Sequence, residues 1–165
     1  MKKALFLAAA LLATSAFAEK IAVLDSKQIF TNSPAYVAIT KLADTKYKKQ
    51  KQALETQREQ FTQEMTQLTR DKLTQKQGSF KTREAELITK RAKLTEEQNK
   101  FTQTVMEDQN TQMKKLFTKF QSIVDTYAKQ NKIDIVLNKF VVITTNNAKL
   151  DITKEIAKRF AKVTT

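Results

Sequence analysis

A chain of 165 residues with one glycine and one proline has almost nowhere to make a tight turn. Glycine supplies the left-handed backbone that sharp reversals use, and proline breaks helices. Their scarcity, with abundant Lys, Gln, Glu, Ala and Leu, favours long helices over a loop-rich globule. The positions of the two residues then become informative. Ser33-Pro34 has the form of an N-cap followed by proline at the first helical position, so a helix is expected to begin there. Gly78 is the one residue able to take a left-handed conformation cheaply, so that helix is expected to end and reverse at Gly78.

Apolar spacing on either side of Gly78 fits two paired arms. Tyr47, Leu54, Phe61 and Leu68 recur every seven residues, with Met65 between them. Phe80, Leu87, Leu94 and Phe101 repeat at the same interval, after which the row shifts by five and resumes through Met106, Met113, Phe120 and Tyr127. A seven-residue repeat gives the narrow stripe of a coiled coil, so residues 34–130 are expected to form an antiparallel helical hairpin. At 1.5 Å per residue the first arm reaches roughly 60 Å. One apolar residue per heptad packs less tightly than a full zipper, so the outer hairpin is expected to be mobile.

The flanking segments differ in character. Ile21 to Leu24, Ile133 to Leu137 and Val141 to Thr145 have strand composition, the last two joined by an Asn138-Lys139 turn. Asp151 can cap a terminal helix whose apolar face is Ile152, Ile156 and Phe160. The fold class is therefore α+β, with residues 19–33 and 131–165 forming a small β-rich body. Such a body buries too little surface to stand alone, and association is the remedy open to a chain with no cysteine. Ile21, Val23, Ile133, Ile135, Leu137, Val141 and Ile143 are its candidate oligomer-forming residues.

The first eighteen residues carry Lys2 and Lys3, an apolar run from Ala4 to Ala13, and Ala16-Phe17-Ala18 before the charged Glu19. That is the pattern of a cleaved secretory signal peptide. A membrane anchor needs a longer apolar run. Removing the leader leaves 28 basic and 17 acidic residues, a net charge of +11, which suits acidic partners. Export sets aside nucleic acid as a physiological partner and leaves anionic lipid head groups, lipopolysaccharide and acidic unfolded chains. With no cysteine and no histidine, Ser-His and Cys-His nucleophile systems are excluded, and the commonest metal ligand is missing. A single glycine permits no glycine-rich phosphate loop. Glu84 with Glu86, and Glu96 with Glu97, are too close in sequence to face each other on a helix. No cofactor, metal or catalytic residue is expected.

The leader, Lys20-Ile21-Ala22-Val23-Leu24-Asp25, a basic helical hairpin, Ile133-Asp134-Ile135-Val136-Leu137 and Asp151-Ile152-Thr153 together resemble the Skp (OmpH-like) periplasmic chaperones in order and spacing, across the whole chain after the leader. The resemblance implies a homotrimer in which the strands form an intersubunit β-barrel and three hairpins hang around a cavity. It also implies that the cavity holds unfolded outer-membrane proteins, without nucleotide or metal.

Two sets of hairpin residues are candidates for such a role. Arg70, Lys72, Lys76, Lys81, Arg83, Lys90, Arg91 and Lys93 face only Asp71, Glu84 and Glu86 within 24 residues, a local charge of +5 that would draw in anionic head groups or client chains. The competing reading is a solvated helix surface. Tyr47, Leu54, Phe61, Leu68, Phe80 and Phe101 either pack between the arms or line a cavity. The leading functional expectation is an ATP-independent periplasmic holdase for outer-membrane β-barrel proteins. The alternative is a structural coiled-coil spacer or adaptor of the envelope.

Overall fold

The computed structural model describes residues 19–72 and 77–164, so the leader and Lys76 lie outside the described residues. The chain runs β1 (Ile21–Leu24), α1 (Ser26–Thr31), α2 (Pro34–Thr40), α3 (Lys48–Asp71), α4 (Gln77–Gln130), β2 (Ile135–Asn138), two 3-10 turns at Lys139–Val141 and Ala148–Leu150, and α5 (Thr153–Phe160). β1 and β2 pair in parallel, Ile21 opposite Ile135 through Leu24 opposite Asn138. Parallel neighbours cannot be joined by a tight turn. The connection here is α1 to α4, and so includes the whole helical hairpin.

The body closes around one apolar cluster. Ala22 and Leu24 of β1, Ile29 of α1, Ala35 and Ile39 of α2, Leu116 and Phe120 of α4, and Ile152, Ile156 and Phe160 from the C-terminal segment are all buried. Ile152, Ile156 and Phe160 form the expected face, and Ile156 and Phe160 are fully enclosed. Asp151 Oδ1 accepts from the Thr153 backbone N–H at 3.0 Å and from the Thr153 hydroxyl, which fixes the entry to α5. Phe30 links the elements, its ring 5.0 Å from Phe120 and 5.1 Å from Phe160.

Several boundaries differ from the sequence expectation. The hairpin does not turn on Gly78: α3 has ended at Asp71, and Gly78 lies in the first turn of α4 without a positive φ. α4 therefore begins before the glycine that was to cap α3. The first arm is not one helix from Pro34 either, because turns occupy Lys41 to Tyr47 between α2 and α3. No glycine or proline marks that break. Local bonding sustains it, with the hydroxyls of Thr40 and Thr45 accepted by Val37 O and Lys41 O, and the Tyr47 N–H by Leu42 O.

The seam on α4 also departs from the expected row. Met65 and Met106 are exposed, whereas Val105 and Leu116 are buried. A straight helix advances 3.6 residues per turn, so a long inward row drifts off a strict heptad and picks up residues four apart. In the body, β2 starts at Ile135, and Ile133 precedes it packed against the core. Val141 to Thr145 is not a strand: Asn138 ends β2, and its side chain accepts the Phe140 N–H at 3.2 Å to cap a 3-10 turn instead of a hairpin. β1 already has β2 on one side and a single bridge to Asp151 on the other, so residues 141–145 gain no place beside it.

Candidate functional site

The tip charges fall into two groups. Arg83 reaches Asp71 at 3.1 Å across the arms, Lys90 reaches Glu64 at 2.6 Å, and Lys93 approaches Glu97 at 4.0 Å along α4. Arg70, Lys72, Lys81 and Arg91 form no ion pair among the described residues, and all four are exposed. The Arg83 and Lys90 pairs tie the arms together, while the second group leaves positive charge toward solvent. Lys81, Lys90 and Lys93 line a shallow groove of about 750 Å³ together with Thr82, Ala85, Glu86 and Thr89.

Of the apolar candidates, Leu68 is buried, and Tyr47, Leu54, Phe61, Phe80 and Phe101 are half-buried. Tyr47 meets Phe101 edge to face, ring centres 6.3 Å apart, across the two arms. Elsewhere on α4 an apolar side chain points away from the seam: Ile88 is exposed above a groove lined with Arg91, Ala92, Thr95 and Asn99.

The most exposed apolar side chains among the described residues lie in the body. Phe140 and Ile143 are almost fully accessible, 93% and 102%, and Val141 is exposed beside them. Ile21, Ile135 and Leu137 are exposed on the small sheet, whereas Val23 is buried and Ile133 half-buried. A groove of about 430 Å³ runs between β2 and α4, with Phe117, Phe120, Val124, Val136 and Leu137 on its apolar side and Ser26, Gln121, Asp125, Asp134 and Asn138 supplying polar groups. Apolar groups so placed beside an open strand edge are characteristic of surfaces that other chains cover.

Sequence reasoning missed a clasp where the hairpin meets the body. Asp108 accepts from Lys46 Nζ at 2.7 Å and from the Tyr47 hydroxyl at 3.0 Å. The Lys46 bond holds the Asp108 carboxyl below the ordinary carboxylate range against the opposing pull of burial. The signal was available, because the heptad through Phe80, Leu87, Leu94 and Phe101 continues to Asp108. A second ion pair joins Lys139 to Asp151 at 2.7 Å. Burial pushes the Asp151 carboxyl up, but bonds from Lys139 and Thr153 outweigh it and bring the group to about 2. Among the described residues no group of three or more His, Cys, Asp or Glu could hold a metal ion, and no helix is long and apolar enough to cross a membrane.

The fold is similar to the crystal structure of a Caulobacter crescentus protein provisionally assigned as an OmpH-like outer membrane chaperone. The TM-score is 0.72 at 15% sequence identity, over 87% of this chain and 84% of that one. No curated protein sequence matches at a significant level. The model of the outer membrane protein (OmpH-like) family matches residues 20–160, which span β1, the entire hairpin, β2 and α5, and the chain belongs to that family.

Proposed function

We propose that the chain is an ATP-independent periplasmic holdase that encloses unfolded outer-membrane β-barrel proteins and keeps them from aggregating before insertion. The observation that carries this reading is the division of the molecule into two unlike ends. One end is a body with a closed core, an open β2 edge and exposed Phe140, Val141 and Ile143. The other is a polar hairpin built on a 54-residue helix, about 80 Å long.

In this reading the body associates through its exposed apolar residues into a homotrimer, in which residues 139–145 and β2 meet strands of other copies. The hairpins then surround a space with positive walls and sparse apolar groups. Many weak contacts of that kind hold a chain without selecting one conformation of it. The exposed tip cations suit an anionic surface, lipid head groups or lipopolysaccharide, beside which clients are delivered. No chemical step is assigned to the protein. The likeness to a protein assigned as an outer membrane chaperone supports the client class.

The test dilutes a urea-unfolded outer-membrane β-barrel protein into buffer with and without the leaderless protein, and follows turbidity. The holdase reading expects suppression that saturates near one trimer per client. Precipitation at the same rate in both samples, with the assembly intact, would move the reading to an envelope spacer whose tip docks a folded partner.

A further inference from the structure

α4 and α3 are attached to the body in different ways. α4 is unbroken from Gln77 to Gln130, and its lower part carries the buried Leu116 and Phe120 into the body core. It is a strut continuous with the body. α3 is joined to the body through the turns at Lys41 to Tyr47 and runs into α4 at the tip, where Asp71 and Glu64 pair with Arg83 and Lys90; along its length only Leu68 is buried. Between Val105 and Leu116 the inward positions of α4 are Asp108, Gln109, Gln112 and Met113, so the base of the seam is largely polar. What holds α3 there is a short set of polar contacts. Lys46 and Tyr47, immediately before α3, bond to Asp108, and Tyr47 meets the Phe101 ring edge to face; the bond from Gln109 to Ile39 O at 3.3 Å fixes α2 instead, on the body side of the turns.

We infer that α3 is a hinged arm on a fixed α4 strut: Lys41 to Tyr47 is its joint, and the Asp108 carboxylate, gripping Lys46 and Tyr47, is the latch that holds the arm closed. A seam with few buried apolar groups is held weakly and opens locally at small cost, whereas the body core does not. Releasing the latch uncovers Tyr47, Leu54, Phe61 and Phe101, the residues that in the closed hairpin face the opposite arm. A single stripe thereby serves as packing seam when closed and as apolar surface when open. The motion belongs to the chain itself and does not depend on the holdase reading.

The absence of cysteine makes the test direct, because introduced cysteines are the only labelling sites. Spin labels at Gln50→Cys on α3 and Thr104→Cys on α4, both exposed, report the gap between the arms near the joint. Labels at Thr118→Cys on α4 and Lys154→Cys on α5, also exposed, report the body. Labelled chain is diluted into excess unlabelled chain, so only distances within one chain are read. The latched protein is expected to show one dominant arm-to-arm distance. Asp108→Ala, and Lys46→Gln from the solvent side of the same pair, are expected to add a longer population while the body distance stays fixed. An arm-to-arm distribution that survives both substitutions overturns the inference. So does a body distance that broadens along with it, since the change would then be a general loosening and not an arm on a joint.

Discussion

The body and the hairpin of this protein are built on opposite principles. In the body, four short elements and the lower part of α4 converge so that ten buried apolar residues share one cluster, with the rings of Phe30, Phe117, Phe120 and Phe160 linked by contacts through Phe30 and Phe120. The hairpin is far longer, yet its buried apolar residues among those described are Leu68, Leu87 and Val105. Cross-arm ion pairs at Arg83 to Asp71 and Lys90 to Glu64 supplement them, and solvent-accessible pairs of this kind contribute little each, whereas the half-buried Asp108 carboxylate at the base is bonded by both Lys46 and Tyr47. Stability is thus concentrated in the body, and the hairpin is left adaptable.

The largest expected effect strikes the body. Phe160→Ala removes a fully buried ring in contact with Phe30 and Phe120 and is expected to cost about 3–5 kcal/mol, read as a collapse of the cooperative thermal transition. Leu87→Ala acts on the hairpin, whose arms can close over the gap, so the cost is expected at about 2 kcal/mol. Faster proteolysis between Lys48 and Phe101 with an unchanged body would confirm that the two regions separate energetically. Loss of the body transition in this variant would break the comparison.

A smaller effect comes from pH. The Asp151 carboxyl is depressed from 3.8 to about 2, so the stability it contributes is present above about pH 4 and is lost as pH falls through 2. With screening at a partly exposed pair allowed for, that contribution is about 1 kcal/mol. Asp151→Asn is expected to remove this part of the acid dependence, measured as denaturation midpoints from pH 5 to pH 2. The smallest effect is at Ser33. It precedes α2 in the cap position, but its buried Oγ has no hydrogen-bond partner among the described residues. Ser33→Ala is therefore expected to change stability by less than about 0.5 kcal/mol, where loss of a working cap typically costs about 1 kcal/mol. A larger loss by chemical denaturation would show that the hydroxyl is satisfied in solution.

The hairpin was legible in the sequence because heptads are a local signal: Leu54, Phe61 and Leu68 on one arm and Leu87 and Leu94 on the other are inward-facing or buried in the structure. β1, the start of α2 at Pro34 and the buried face of α5 were legible for the same reason. What escaped was settled over long range. The joint at Lys41 to Tyr47 contains no breaker residue and is held by Asp108, more than sixty residues away in sequence. The exposed segment from Phe140 to Ile143 has strand composition, yet composition does not say whether a strand edge lies within reach. Gly78 misled because a permissive residue can adopt a turn without being needed for one.

Hydrogen exchange along the whole chain tests the contrast between the two regions most directly. The account predicts the slowest amides in Leu116 to Tyr127 of α4 and in Ile156 to Phe160 of α5, with α3 exchanging orders of magnitude faster and as a unit. Uniform protection from α3 through α5 would contradict it, and would mean that the hairpin is as firmly held as the core beneath it.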